Sequence, residues 1–402
     1  MSKPVVAGNH GDKTRSDCRV TLEIKKSGGL LLNLQSKVAS MYGEDLKKQI
    51  HDIISYFDIQ HAKIAIEDSG ALPFVIAARM EAAIRAATNT VREYLPGMLP
   101  GNQDETTAGR FRCSRLYLPG NKPSMMINAG IHHPDGIILD LEDSVAPGRK
   151  MEARLLVRNA LRRVRFYGSE RMVRINQLPL GLEDLEMVVP HHVQVILLPK
   201  CETKEQVMQV DETIRLTLEK AGLTHTVYLM PIIESCLGVE HAFELATSSE
   251  RVIALAVGLE DLAADLGVER TEGGTESLFA RMRIVNACKA AGIQPIDSVY
   301  SDVANQEGLN NTVQRSKSLG FEGMGCIHPR QIGPIQRGFA PSADEIEKAE
   351  KIVAAYREAE EKGLGVVALG SKMIDAPVVK RAHKILEMAG RMPGMDNHEK
   401  ES

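Results

Sequence analysis

The chain has 402 residues, a formal net charge of −4, no tryptophan, 43% hydrophobic and 25% charged residues, which is too long for one core and predicts two or three domains of ordinary globular composition. Slight acidity and scarce aromatics argue against a nucleic-acid partner, and a mean hydropathy of −0.16 without an uncharged run of spanning length argues against a membrane helix. The six scattered cysteines form neither a CxxC pair nor a disulfide framework, and residues 1–10 lack the basic-then-apolar order of a leader, so a cytoplasmic protein is expected.

Residues 20–24 (VTLEI) and 30–34 (LLLNL) read as strands divided by a turn ending in Gly-Gly. Leu46, Ile50, Ile53, Ile54 and Phe57 recur at helical spacing within 42–57. A strand at 62–66 and an alanine-rich helix at 72–87 complete a small α+β unit over 1–88. Residues 89–111, rich in Pro, Gly and polar side chains, read as a linker.

From Arg112 onward, short apolar strands alternate with longer helical segments. Strands are expected at 115–118, 136–141, 172–175, 193–198, 227–233, 252–257, 294–299 and 323–327. Several are nearly unbroken apolar runs, as parallel strands buried on both faces require. Eight βα units over 112–342 predict an α/β fold, a (β/α)8 TIM-type barrel. An open doubly wound sheet is the alternative, but no Gly-rich dinucleotide fingerprint follows the first strand. A charged helix at 344–362, a Gly-rich loop to Gly370 and a helix from Ala376 make up a C-terminal helical lid over 343–392. Residues 393–402 read as a disordered tail.

Such barrels build their sites where the strands end. The polar residues there are Asp140, Glu142, Asp143, Arg174, Asn176, Lys200, Glu234, Asp261, Asp297 and His328. Glu234 and Asp261 fall on neighbouring strands, and one or two carboxylates with water and substrate oxygens are how Mg²⁺ is usually held. No His/Cys cluster competes for a softer metal. Arg174 offers a planar cation for a carboxylate or an oxyanion. The same residues are also compatible with an ion-pair network closing the barrel mouth. Glu142 or Asp143 could serve as a helix N-cap, Lys200 as a solvated charge and His328 as a structural hydrogen-bonder.

The stretches RLYLPGN (115–121), DLEDSV (140–145), VRIN (173–176), LPK (198–200), IES (233–235), GLEDLAADLG (258–267), IHP (327–329) and MIDAP (373–377) occur in that order. With them, residues 112–390 resemble the citrate lyase beta chain and the malyl-, citramalyl- and citryl-thioester lyases of the HpcH/HpaI aldolase superfamily. The resemblance implies substrate contact for Arg174, metal and substrate contact for Glu234 and metal binding for Asp261. It adds Arg115 and Asn176 as substrate-binding candidates, and Glu142 and Asp375 beside Arg174 as catalytic ones. In relatives with a MID-type motif its Asp sits on a lid that enters an adjacent subunit, which implies a homo-oligomer, a trimer or hexamer. Asp375 could equally cap the helix that follows it.

The first segment is similar to the citrate lyase acyl carrier (gamma) chain, through Val6-Ala7-Gly8, Arg15-Ser16-Asp17, YGE (42–44), DSGAL (68–72) and VIAARMEAAIRAA (75–87). That likeness implies phosphoribosyl-dephospho-CoA on Ser16; the other reading of Ser16 is an ordinary exposed serine. Together the two likenesses imply Mg²⁺-dependent cleavage of a citryl-type 3-hydroxy-3-carboxyacyl thioester, carried on the chain itself, to an acetyl thioester and a 2-oxo acid such as oxaloacetate. A separate alpha (transferase) subunit would reload the carrier. The alternatives are a malyl-CoA or citramalyl-CoA lyase or a thioesterase acting on free CoA thioesters, and a catalytically dead scaffold of a lyase complex.

Overall fold

A computed structural model describes residues 3–361, 366–369 and 372–391. The chain divides into two compact units, one ending at Ile332 and the other starting at Gly333. The first unit holds both the N-terminal α+β segment and the barrel, so those two are not separate bodies.

The N-terminal strands are β1 (Val5–Gly8), β2 (Cys18–Ile24), β3 (Leu30–Ser36) and β4 (Ala62–Asp68), in the order β1-β2-β4-β3. β4 lies between β2 and β3, antiparallel to the first and parallel to the second. Alternation places Cys18, Val20 and Leu22 of β2 and Ala62, Ile64 and Ile66 of β4 in the core. α1 (Ala39–Tyr56) buries Leu46, Ile50, Ile53 and Ile54, the stripe its spacing predicts. α2 (Pro73–Thr88) is buried from Phe74 to Ile84, because it packs against β2 on one side and the barrel helix α3 (Lys150–Arg163) on another.

Residues 89–111 do not hang free. Leu99 N donates to Arg162 O at 2.9 Å, and the Asn102 amide donates to Leu161 O and Val164 O, each at 2.8 Å. Arg112 closes the stretch with a fully buried ion pair to Glu170 at 2.7 and 2.8 Å.

The barrel strands are β5 (Ser114–Pro119), β6 (Gly136–Asp140), β7 (Glu170–Arg174), β8 (Val195–Leu198), β9 (Tyr228–Ile233), β10 (Ala254–Val257), β11 (Gln294–Asp297) and β12 (Gly323–Cys326). Neighbours in sequence pair in parallel, and β12 pairs with β5 to close the ring. Every predicted barrel strand is present, and closure rules out the open sheet. Ile138, Met172, Val195, Leu197, Met230, Ile232, Ala254, Ala256 and Ile296 fill the interior. Each of the Val, Leu, Ile and Met side chains among them contributes about 1.5–3 kcal/mol by leaving water. After β10 comes α4 (Leu259–Leu266).

The second unit begins ten residues before the lid boundary expected at 343. Its elements are α5 (Ala343–Glu361), the antiparallel pair β13 (Val367–Leu369) and β14 (Lys372–Ile374), and α6 (Ala376–Arg391). Ala349 and Ile352 of α5 pack with Ile374, Val379 and Ala382. The tail at 393–402 and Gly370 lie outside the described residues. No helix among the described residues is long and apolar enough to cross a membrane.

Candidate active site

Strand period two explains how an apolar barrel ends in a charged rim. Ile138 and Asp140, Met172 and Arg174, and Met230, Ile232 and Glu234 are each two residues apart, so each strand that fills the core delivers its next inward side chain to the mouth. Register sets them level: Pro119 pairs with Asp140, and Asp140 with Arg174. Glu234 follows Ile233, which pairs with Val257 at the head of the turn to α4. These ends surround a cavity of about 780 Å³ lined by Arg115, Tyr117, Asp140, Arg174, Glu234 and Asp261, among others.

Arg174 is held from three sides. Its Nε and Nη2 donate to the two Asp140 oxygens at 2.7 and 2.8 Å, while Nη1 meets Glu142 at 2.8 Å and Asp143 at 3.5 Å. The guanidinium also lies 5.5 Å from the Tyr117 ring centre. Burial alone would raise the Asp140 carboxyl, but the bonds from Arg174 win and hold it below its ordinary value. Burial raises Glu142 against the pull of Arg174 and of a hydrogen bond from Gln177 at 3.0 Å.

Glu234 is 6% exposed, and its Oε2 is buried without a hydrogen-bond partner. Burial, then Asp261 and Glu142, push its carboxyl up to about 8. Gly258 makes room for it: a Cβ there would lie 2.6 Å from Glu234 Cγ and 2.8 Å from Oε1. Asp261, in the first turn of α4, is more open and pairs with Lys200 Nζ at 3.0 Å. An orphaned buried carboxylate oxygen and a second carboxylate at the same cavity fit a hard cation completed by water or substrate. Among the described residues no cluster of three or more His, Cys, Asp or Glu side chains forms a ready-made cage, so a cation held here would need water or substrate oxygens to complete its shell.

The other predicted residues are placed as follows. Arg115, fully buried at the cavity floor, has its Nη1 2.9 Å from Met230 Sδ and its Nε without a hydrogen-bond partner; burial lowers its pKa. Asn176 does not line the cavity: its backbone N–H and side-chain amide both donate to Asp184, at 2.7 and 2.8 Å. His328 Nδ1 accepts from Arg330 N at 3.1 Å, a local cap at the cavity edge. Asp375, in the second unit, accepts from Val378 N at 3.2 Å as the cap of α6. Ser16 occupies a left-handed turn (φ 55°) between β1 and β2, its N–H donating to Ser69 O at 3.0 Å. Sequence reasoning missed Tyr117 and Gly258. Tyr117 shares the inward parity of Arg115, and Gly258 directly precedes the LED of α4, signals that position alone carries.

A closed βα barrel with an acidic rim, one clamped guanidinium and a second, buried arginine at its floor is an architecture that barrel aldolases and lyases use. Residues 113–329 match the family described as HpcH/HpaI aldolase/citrate lyase, and the chain belongs to it; it is an oxo-acid lyase. Residues 2–87 match the family described as malonate decarboxylase delta subunit (MdcD), an acyl-carrier type. The citrate lyase subunit beta of Haemophilus influenzae is 42% identical over 70% of this chain and 97% of its own length. Human mitochondrial citramalyl-CoA lyase is 32% identical over 68% of this chain and 84% of its own. Among solved structures, CitE of Mycobacterium tuberculosis in complex with magnesium, acetoacetate and coenzyme A aligns with a TM-score of 0.59 and 27% identity, covering 71% of this chain and all of that one.

Proposed function

We propose that this chain is a magnesium-dependent carbon–carbon lyase that cleaves a citryl-type 3-hydroxy-3-carboxyacyl thioester, held on Ser16 of its own N-terminal domain, to an acetyl thioester and a 2-oxo acid such as oxaloacetate. The observation that carries it is the buried, unpartnered Glu234 oxygen facing the same cavity as Asp261 and Arg174. The 42% identity to citrate lyase subunit beta and the magnesium-bound oxaloacetate complex of the M. tuberculosis homologue (TM-score 0.50, 26% identity) support the same reading.

Glu234 and Asp261 would hold Mg²⁺, which supplies Lewis-acid polarisation of the substrate's hydroxyl and neighbouring carboxylate when bound. In the retro-Claisen step the hydroxyl gives up its proton as its oxygen becomes the keto group of the 2-oxo acid. The C2–C3 electron pair moves into the thioester carbonyl, and the resulting enolate takes a proton at carbon to become the acetyl thioester. Arg174, already oriented by Asp140, faces the negative charge growing on the thioester oxygen. Glu142, raised by burial and paired with Arg174 at 2.8 Å just behind the cavity lining, is the candidate to exchange the hydroxyl proton. Asp375 is the candidate donor to the enolate carbon, and Arg115 offers an unspent cation to a substrate carboxylate.

The arm on Ser16 is read as phosphoribosyl-dephospho-CoA, and an alpha-type transferase is the partner that would reload it. The test is a product assay with citryl, citramalyl and malyl thioesters, on the carrier and on free CoA, with Mg²⁺ and with chelator. Oxaloacetate released from the carrier-bound citryl group only with Mg²⁺ is expected. Activity that persists in chelator removes the metal role, and preference for a free CoA thioester replaces the carrier reading.

A further inference from the structure

We propose that the N-terminal domain is a docked rather than a swinging carrier: Arg79 fastens the Ser16 turn to the catalytic end of its own barrel, so an acyl group on Ser16 is delivered in cis. This rests on the carrier reading of Ser16; the docking itself rests on contacts. Asp17, the next residue, is 2% exposed and takes both arms of Arg79, Nε to Oδ1 at 2.9 Å and Nη2 to Oδ2 at 3.0 Å. The same Nη2 donates to Asn121 O at 3.1 Å. Asn121 follows Pro119 and Gly120 at the catalytic end of β5, and Gly120 N donates to the carbonyl of Asp140, the residue that clamps Arg174. One buried guanidinium therefore joins the Ser16 turn to the cavity rim.

A second set of contacts holds β1 at the same end. Glu152 Oε2 accepts from Gly8 N at 2.9 Å and from Arg149 at 2.7 Å, and Arg149 also donates to Gly8 O at 3.1 Å. Gly8 has a left-handed φ of 82°, and a Cβ there would sit 1.9 Å from Cys18 O, so the approach requires glycine. Farther along, Glu81 of α2 and Arg158 of α3 form a bidentate pair at 2.6 and 3.0 Å with both side chains fully buried. A carrier that travelled between sites would have to break and re-form every one of these buried pairs on each cycle. The neighbouring cavity wall is formed by Ser124, Met125, Asn128 and His132, in the segment just after Asn121. An arm from Ser16 would enter across that wall.

Because removing buried Arg79 strands Asp17, the deciding measurements leave it in place. A specific protease site inserted after Val91, which is 86% exposed, lets the chain be cut between carrier and barrel. Docking predicts that both pieces co-elute in size exclusion, in high salt as in low, since buried pairs are poorly screened. Separation on cutting overturns docking whatever Ser16 carries. Delivery in cis is read by co-expressing a Ser16→Ala chain, whose barrel is unaltered, with a Glu234→Gln chain, whose carrier is unaltered. The mixture is expected to turn over carrier-bound substrate no faster than either chain alone, and recovery of activity overturns cis delivery. Absence of an arm on Ser16 by intact mass instead sinks the carrier reading and leaves the co-elution result standing.

Discussion

Burial and two acidic neighbours leave the Glu234 carboxyl largely protonated at neutral pH when no cation faces it. The sign of the consequence follows from its raised value. Between the ordinary carboxyl value near 4.5 and about 8, the folded protein keeps a proton that the unfolded chain has released, so this group's contribution to stability falls as pH rises through that window. A metal binding there must displace the same proton. Mg²⁺ affinity is therefore expected to climb with pH, by up to about tenfold per unit, and to level off near 8. Calorimetry in buffers of different ionisation heat should record proton release on binding below that pH, and Glu234→Gln should abolish both binding and release. Flat affinity between pH 5 and 8 would mean that Glu234 is not the ligand. That a Glu stood at this strand end was legible in the sequence, since it ends an apolar run. Its proton was not, because the value depends on burial and then on Asp261 and Glu142, which follow other strands.

The turn from β10 into α4 is where element geometry reaches the chemistry. Gly258 joins Val257, in register with Ile233, to the helix bearing Asp261, and its missing Cβ is the space the Glu234 carboxylate occupies. Gly258→Ala is expected to lower Mg²⁺ affinity by ~10–100-fold, the range typical of disturbed groups behind a metal ligand, while the circular-dichroism spectrum stays that of the parent. Unchanged affinity would show that Glu234 can shift without leaving the site. The α2–α3 contact gives a stability counterpart. Glu81→Ala leaves the fully buried Arg158 with Glu93 at 3.2 Å as its remaining carboxylate and also takes a partner from Arg85, and is expected to cost up to ~3 kcal/mol, read from denaturant unfolding; replacing Glu81 and Arg158 together by apolar residues of similar size should recover part of it. The barrel strands were legible because burial on both faces writes continuous apolar runs. β1 was not, since Val5–Gly8 is short and its partner is β2. The stretch 89–111 reads as a linker by composition, but its hydrogen-bond partners, Leu161, Arg162, Val164 and Glu170, lie some 60 residues along the chain. Arg79 and Arg158 escaped for the same reason: an arginine in a helix announces charge, and only tertiary structure says that it is buried.

Over the whole molecule, the proposed chemistry is divided between the two compact units, with Glu234, Asp261 and Arg174 in the first and Asp375 in the second. Asp375 already has a structural task, since its side chain accepts from Val378 N at the start of α6. Asparagine caps helices about as well as aspartate, so Asp375→Asn separates the two roles by keeping the cap and removing the acid. If Asp375 delivers the proton to the enolate carbon, the variant should lose ~10²–10⁴-fold in turnover with its melting temperature and Mg²⁺ affinity unchanged. Full activity would leave it a cap only. The source of the acid is a further question, because a donor on a separate unit can serve its own cavity or that of a second copy. Co-expressing Asp375→Asn with Glu234→Gln chains decides it. Each chain alone lacks one group, and a mixed oligomer contains a complete site only if the second unit of one copy serves the barrel of another. Recovered activity in the mixture, set against none in the Ser16→Ala and Glu234→Gln pairing, would describe an assembly in which each barrel takes its substrate from its own carrier and its proton from a neighbour.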